Sequence, residues 1–246
     1  MLPIAVIVGV GPSAGLGATL CRHAAQAGLH VFAGGRTLAL LEETQHEIEA
    51  AGGNCTPVVT DVTAEEQVQA LIEQAEQAGQ IELAIYNAGN NYSGNFLEME
   101  ASLFEQAWRV GTLGGFLFAR ETLRRMVPRN QGTLIFTGAS ASLRGKPRFA
   151  PFTAAKAGLR TMSQSLAREF QPQGIHVAHV VIDGIIIVLL AVTGFRTAVF
   201  NAIPMEIVSP EKQFQVFIDD VRLPADALVG DENGGLAQLF AGLNPE

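Results

Sequence analysis

Short apolar runs alternate with longer polar-faced segments along most of the chain, and this alternation constrains the fold more than any other feature. Six runs have the continuous hydrophobicity of buried strands: residues 4–8, 30–33, 56–60, 81–86, 133–137 and 175–182. Five helical segments separate them: 15–27, 37–51, 64–78, 102–126 and 153–170. Strands that alternate with helices form parallel βαβ units with right-handed crossovers. The sequence therefore predicts an α/β fold of Rossmann-like type, in which a doubly wound, mostly parallel sheet lies between two helical layers.

Composition and charge exclude several classes of protein. Of the 246 residues, 48% are hydrophobic and 16% are charged, which rules out a disordered chain. Cys21 and Cys55 are too few for a disulfide framework or a metal cluster, so we expect buried thiols and no metal. The net charge of −8 argues against nucleic acid as a partner. The longest apolar stretch, 177–195, contains His179 and Asp183, which favours a buried strand over a membrane span. With no basic leader at the start, we expect a cytoplasmic protein without a membrane partner.

A glycine-rich turn follows the first predicted strand. Gly11 lies at the start of this turn, and Gly15 and Gly17 flank Leu16 where the first predicted helix begins. Glycines let the backbone approach a pyrophosphate, and the helix N-terminus supplies N–H donors and the positive end of its dipole. An ordinary strand-to-helix turn is the alternative. The position of the turn near the start of a βαβ unit favours dinucleotide binding.

The end of the second predicted strand indicates which dinucleotide binds. An acidic residue there is typical of NAD(H) binding, but Gly35 occupies the position and Arg36 follows. A guanidinium can pair with a 2′-phosphate through two charge-assisted hydrogen bonds, and the Ser13 hydroxyl could add a donor. These residues favour NADP(H) over NAD(H), although Arg36 could also be a solvated residue at a helix start.

Four motifs in order give the chain a family resemblance over about residues 4–184. The glycine turn is followed by Asp61-Val62, by Asn87-Ala88-Gly89 and by Lys156 at the start of a helix. This pattern resembles the short-chain dehydrogenase/reductase family. The resemblance implies that Asp61 and Val62 contact the adenine and that Asn87, Ala88 and Gly89 lie beside the cofactor. It also implies that Lys156 binds the nicotinamide ribose and lowers the pKa of a tyrosine four residues earlier.

The positions of the family's other catalytic residues carry different side chains here. Phe152 stands at the tyrosine position, Ala139 at the serine, Gly111 at the asparagine and Val188 at a threonine that helps to hold the nicotinamide. Carbonyl reduction needs a hydride and a proton, and general acid catalysis contributes roughly 10²–10⁴ in rate. A phenyl ring supplies no proton. The sequence therefore supports cofactor binding better than turnover by the usual tyrosine mechanism.

A few other side chains could replace the missing donors. Ser140 could donate a hydrogen bond if the loop slipped by one residue, and Tyr92 is the only phenol expected near the site, because Tyr86 is predicted to be core. His176 and His179 are expected to be buried and hydrogen bonded. The loop cations Arg144, Lys146 and Arg148 either are solvated or bind an acidic substrate such as a phosphate or a CoA thioester.

The C-terminal segment differs in charge and in resemblance. Residues 204–246 hold eight acids and two bases, and no βα alternation continues there. Residues of about 213–246 resemble a fragment of acyl-CoA dehydrogenase, too short to hold FAD, and residues 215–221 could still add a strand to the sheet. We therefore divide the chain into a dinucleotide-binding domain, 1–203, and an atypical acidic segment, 204–246, that is not an independent domain. The simplest hypothesis for its origin is a gene fusion joined between about 185 and 210.

Two classes of function follow from these patterns. The first is an NADP(H)-dependent oxidoreductase acting on a carbonyl, alcohol or enoyl substrate with a degenerate catalytic site. The second is a nucleotide-binding protein without catalysis, such as a sensor or a partner subunit. The family resemblance further implies a homodimer or homotetramer built through the long helices.

Overall fold

The computed structural model describes residues 2–182, 199–205 and 213–219. Six parallel strands form its main sheet: β1 (Ile4–Val8), β2 (His30–Gly35), β3 (Asn54–Val59), β4 (Ile81–Tyr86), β5 (Gly132–Ala139) and β6 (Ile175–Ile182). Their order in the sheet is β3-β2-β1-β4-β5-β6. The order reverses between β1 and β4, and such a switch point creates a crevice at the carboxyl ends of the strands. The predicted doubly wound sheet is confirmed.

Helices cover both faces of this sheet. They are α1 (Leu16–Gln26), α2 (Leu38–Ala50), α3 (Glu65–Ala78), α4 (Ala101–Trp108), α5 (Gly114–Met126) and α6 (Ala150–Phe170). Successive side chains of β1 enter opposite cores, because strand side chains alternate between the two faces. Ala5 and Ile7 pack with α1 and α2, whereas Ile4, Val6 and Val8 pack with residues of α3, α5 and α6. Residues 2–182 thus form the expected three layers.

The long helix predicted over 102–126 is interrupted by a π-helical turn. This turn, Arg109–Leu113, lies between α4 and α5. Tyr86 is completely buried, as predicted, and its hydroxyl donates a hydrogen bond to the carbonyl oxygen of Val110 within the turn. Burial raises the pKa of this phenol well above its ordinary value. The π turn is therefore tied to the end of β4, which borders the crevice.

The segment after β6 contains a separate two-stranded sheet. Strands β7 (Val199–Met205) and β8 (Gln213–Asp219) pair antiparallel with each other. The expectation that residues 215–221 could add to the main sheet is wrong for 215–219, because β8 pairs with β7 instead, and residues 220 and 221 lie outside the described part of the chain. The chain divides into two compact units, 1–187 and 188–246, so this division precedes the change in charge near residue 204.

Two of the expectations from the sequence concern residues that the structure describes only in part or not at all. Val188 lies outside the described residues, and so do Asp183 and most of the apolar stretch 177–195. Within the part of the chain that the structure describes, no helix is both long and apolar enough to span a bilayer.

Candidate cofactor-binding and active site

A cavity of about 520 Å³ lies at the carboxyl ends of β1, β2, β3 and β4. Its walls come from the turns that follow these strands and from residues of α4 and the π turn. It brings together most of the residues predicted to bind the cofactor: Gly11, Arg36, Asp61, Val62, Asn87, Ala88 and Gly89. Ligands of open parallel sheets bind at such a switch point. The geometry thus defines a candidate dinucleotide site.

The glycine turn allows close packing between α1 and the end of β1. A Cβ on Gly17 would lie 2.6 Å from the carbonyl oxygen of Gly9, so α1 approaches the end of β1 more closely than a side chain would allow. Asn87 Nδ2 donates a hydrogen bond to that same oxygen at 3.0 Å. Gly15, Leu16 and Gly17 do not line the cavity, whereas Gly11 does. Their predicted contact with the cofactor therefore stays a prediction.

Ser13 has protein partners away from the cavity wall. Its hydroxyl donates a hydrogen bond to Glu47 Oε1 of α2 at 2.5 Å, and Arg22 Nη1 lies 3.3 Å from the Ser13 oxygen. The hydrogen bond from Ser13, together with the guanidinium of Arg22, lowers the pKa of Glu47. The structure thus ties Ser13 to α1 and α2 and does not bring it to the cavity with Arg36.

At the end of β2, Gly35 occupies a position without space for a side chain, and the next residue, Arg36, is a cation. A Cβ on Gly35 would overlap the carbonyl oxygen of Val10 and would lie 3.1 Å from Leu41 Cδ2. An acidic residue at position 35 therefore does not fit this backbone. Arg36 is exposed and lines the cavity, and within residues 2–182 its guanidinium makes no hydrogen bond or ion pair. No described residue therefore competes with an anion for this side chain.

Asp61 is held by the turn after β3. Its Oδ1 accepts hydrogen bonds from the Thr63 backbone N–H at 2.9 Å and from the Thr63 hydroxyl at 2.8 Å. The neighbouring Val62 is buried. A carboxylate that accepts hydrogen bonds from its own turn has a fixed orientation, as a binding residue at a cavity wall requires.

Lys156 lies deep in the protein beside the turn that follows β4. It is 6% exposed, and its Nζ donates a hydrogen bond to the carbonyl oxygen of Thr137 at 2.9 Å. A Cβ on Gly89 would lie 3.2 Å from Nζ, so the ammonium group adjoins a residue of the cavity wall. Burial lowers the pKa of Lys156 to about 8. Lys156 is therefore still mostly protonated at neutral pH but releases its proton more readily than an ordinary lysine, as a group that exchanges protons at the site would need to do.

The family's other catalytic positions have no hydroxyl or amide in this chain. Phe152 lies one turn before Lys156 on α6 and is partly buried. Gly111 lies in the π turn, where a Cβ would come 2.5 Å from the Cβ of Ala155, so an asparagine has no space. Ala139 ends β5, and its carbonyl oxygen accepts a hydrogen bond from the Ser142 hydroxyl at 2.7 Å.

The suggested substitute donors do not line the cavity. Ser140 begins a short 3₁₀ turn directly after β5 and is partly buried. Tyr92 is also partly buried, in the loop after the Asn-Ala-Gly turn. Neither side chain makes a hydrogen bond within the described residues. Their assignment as donors stays a prediction.

The two histidines of β6 differ from expectation. His176 is exposed rather than buried, because it lies on the face of β6 opposite to Ile175 and Val177, which pack in the core. His179 packs directly on Gly138, and its Nε2 is buried without a hydrogen-bond partner in the described part of the chain. Burial, with smaller effects from the charges of Lys156 and Arg160, lowers the pKa of His179 to about 4. His179 is therefore neutral at physiological pH, and its imidazole lies within range of the charge of Lys156.

Several cavity residues were not identified from the sequence. Gln106 and Arg109 reach the cavity from α4 and the π turn, and Thr60, Thr63 and Asn90 extend the turns after β3 and β4. The turn residues could have been found by extending each motif by one or two positions. No local signal marks Gln106 or Arg109, because their placement depends on how α4 crosses the ends of the strands. Among the described residues, no three His, Cys, Asp or Glu side chains are grouped to hold a metal ion.

The fold and the cavity define an α/β protein with a candidate dinucleotide site, and comparison with known proteins identifies its family. Residues 4–187 match the short chain dehydrogenase family, and the chain belongs to that family. A short-chain dehydrogenase from Rhodopseudomonas palustris is 40% identical, with a TM-score of 0.69 over 74% of this chain and 84% of that one. Dehydrogenase/reductase SDR family member 1 of Mus musculus is 30% identical over 179 residues, which cover 69% of this chain and 57% of that relative.

Two further comparisons concern the cofactor and the C-terminal segment. A variant of actinorhodin polyketide ketoreductase solved with NADPH is 25% identical, with a TM-score of 0.70 over 73% of this chain and 69% of that one. Acyl-CoA dehydrogenase FadE12 of Mycobacterium tuberculosis is 74% identical over 47 residues, or 19% of this chain and 12% of that protein. This short match supports the resemblance seen in the C-terminal sequence.

Proposed function

We propose that this protein binds NADP(H) in preference to NAD(H) and is an oxidoreductase of a carbonyl, alcohol or enoyl substrate. The observation that carries the proposal is the end of β2. A side chain at Gly35 would overlap Val10, and the guanidinium of Arg36 lines the cavity without a partner in the described residues. This arrangement disfavours the acid that binds a ribose 2′-hydroxyl and favours a 2′-phosphate.

The chain's own residues suit the parts of the dinucleotide. Arg36 would pair with the 2′-phosphate, Asp61 and Val62 would contact the adenine, and Lys156 would donate to the ribose hydroxyls near the nicotinamide. The Asn87-Ala88-Gly89 turn would lie along the cofactor between these ends. When bound, the nicotinamide supplies or accepts the hydride. The protein's task is then to position the substrate, which can contribute to the rate without a placed acid.

Proton transfer is the part of the reaction that this site supports least. Phe152 has no acidic hydrogen to donate, and the packing of Gly111 on Ala155 leaves no space for an asparagine. These two observations favour a second candidate, a nucleotide-binding protein without catalysis that acts as a sensor or partner subunit. The acyl-CoA dehydrogenase segment is consistent with an origin by gene fusion.

A fluorescence titration with NADPH and NADH tests the cofactor proposal. We expect NADPH to bind at least about tenfold more tightly, which is the effect of one good charge-assisted pair. Binding of neither nucleotide would refute the proposal. A panel of carbonyl substrates then separates the two candidates, because turnover near an ordinary enzyme rate of roughly 10 per second excludes the non-catalytic one.

We also propose a homodimer or homotetramer built through the long helices. Phe104, Trp108 and Phe116 on α4 and α5 are 39%, 42% and 44% exposed, and such apolar side chains favour association. Light scattering of the full chain, compared with Trp108→Arg, tests this: a monomer in both cases would contradict it. The buried free thiols Cys21 and Cys55 suit a reducing compartment, which we propose is the cytoplasm.

A further inference from the structure

One long part of the chain carries positive charge without any negative charge. Between Glu121 and Glu169 there is no acidic residue, although nine of the sixteen Lys and Arg residues of the chain lie there. The whole protein has a net charge of −8, so the charge of this segment is opposite in sign to that of the protein. Three of its cations, Arg144, Lys146 and Arg148, are concentrated in the loop 144–148, which we call the cationic loop.

The cationic loop lies at the same edge of the sheet as the cofactor cavity. It follows the carboxyl end of β5 after the short turn Ser140–Ser142, and it leads into α6, which carries Phe152 and Lys156. The carbonyl oxygen of Arg148 accepts a hydrogen bond from the backbone N–H of Gly94 at 2.9 Å. This bond joins the cationic loop to the segment that follows the Asn-Ala-Gly turn. The loop therefore lies beside the site where the substrate is expected.

The three side chains of the cationic loop are exposed. Within the described residues none of the three makes a hydrogen bond or an ion pair. Three cations elsewhere in the same unit do form ion pairs: Arg22 with Glu47, Arg120 with Glu65 and Arg129 with Glu76. Arg148 also has a φ of +72°, a strained backbone conformation for a non-glycine residue. Unpaired like charges at the mouth of a site attract ligands of opposite charge.

The 2′-phosphate of the cofactor does not account for this loop. Arg36, the cation expected for the 2′-phosphate, follows β2, whereas the cationic loop follows β5. Two strands separate β2 from β5 in the sheet, so the two strand ends are roughly 14 Å apart at ordinary strand spacing. A second anion, distinct from the 2′-phosphate, is therefore required to use these charges.

We infer that the cationic loop binds an anionic group of the substrate, a phosphate or a carboxylate remote from the carbon that exchanges the hydride. This inference rests on the proposed oxidoreductase function and adds the class of its substrate. The anion would be bound by Arg144 and Lys146 at the rim while the reacting end lies over the start of α6. Arg–anion pairs give both affinity and orientation because they are charge assisted.

Two matched pairs of probes distinguish the anion and its source. Acetoacetyl-phosphopantetheine and acetoacetyl-pantetheine differ by one phosphate, and 4-oxopentanoate and its methyl ester differ by one carboxylate. Calorimetry measures their binding to the full chain saturated with NADP⁺, so that the nucleotide site is occupied. We expect the anionic member of one pair to bind about tenfold more tightly than its neutral partner at low salt, with less preference near 0.15 M salt. The pair that shows this preference identifies phosphate or carboxylate.

A matched pair of double variants assigns the effect to the loop. Arg144→Gln with Lys146→Gln should abolish the preference. Arg125→Gln with Arg168→Gln removes two exposed charges from the same acid-free segment and should preserve it. Equal binding of both members, binding of neither, or equal loss in both double variants overturns the inference. NADP⁺ affinity is measured first in each protein, because its absence refutes the cofactor proposal, whereas intact affinity without an anion preference refutes only the role of the cationic loop.

Discussion

Lys156 Nζ donates a hydrogen bond to the carbonyl oxygen of Thr137 at 2.9 Å, and among the described residues no carboxylate forms an ion pair with it. A buried ammonium with a single neutral acceptor is costly, because burial disfavours the charged form of a lysine. This cost explains why burial lowers the pKa of Lys156 to about 8. The site thus holds a lysine beside Gly89 at the expense of stability.

The first prediction concerns stability and pH. The folded pKa of Lys156 lies below its ordinary value of 10.5, so between pH 8 and 10.5 the unfolded chain binds more protons and stability rises with pH. Relative to Lys156→Met, the native protein should gain about 3 kcal/mol between pH 7 and pH 11. Urea unfolding of both proteins across this range measures the difference. A difference that does not change with pH would contradict the prediction.

The second prediction concerns the missing phenol. Phe152→Tyr with Ala139→Ser introduces a phenol and a hydroxyl at the positions where the family has them. The phenol would lie one turn before Lys156, and the charge of this lysine can lower the pKa of the phenol. We expect NADPH-dependent carbonyl reduction to rise by roughly 10²–10⁴ in kcat/KM. Phe152→Leu with Ala139→Ser is the control, and an equal rise there would show that the phenol is not responsible.

The third prediction concerns the asparagine position. Gly111→Asn places a Cβ 2.5 Å from the Cβ of Ala155, so α6 must move away from the π turn. We expect a loss of about 2–3 kcal/mol in the free energy of unfolding, as for other overpacked sites. Gly145→Asn provides a comparison, since a Cβ there meets no atom closer than 3.8 Å. Adding Ala155→Gly to Gly111→Asn should recover part of the loss.

The fourth prediction concerns the choice of nucleotide. Arg36→Gln should weaken NADPH binding by at least about tenfold and leave NADH binding nearly unchanged, because only NADPH carries the 2′-phosphate. Gly35→Asp with Arg36→Gln should not create an NADH-selective protein, since the new side chain would overlap Val10. We expect it to lose stability instead. Fluorescence titration and urea unfolding measure the two effects, and tight NADH binding by the double variant would contradict the argument.

Much of the fold was predictable because its signals are local. The apolar runs of β1 and β4 are short and continuous, and the positions of the glycine turn, Asp61 and Lys156 depend only on order along the chain. Errors at the ends of elements were small, as at α6, which begins at Ala150 rather than at residue 153. The family resemblance was accessible for the same reason, since each motif occupies a few consecutive residues.

The sequence by itself determined the alternation of strands and helices, the absence of a phenol before Lys156 and the presence of Arg36 after β2. Only the tertiary structure decided that Ser13 binds Glu47, that Gly111 packs on Ala155 and that Gly35 has no space for an acid. Each of these contacts joins residues at least 25 positions apart. Periodicity and motifs do not show which distant residues come into contact. The packing of helices against strand ends therefore decides which side chains the site can hold, and only the tertiary structure shows that packing.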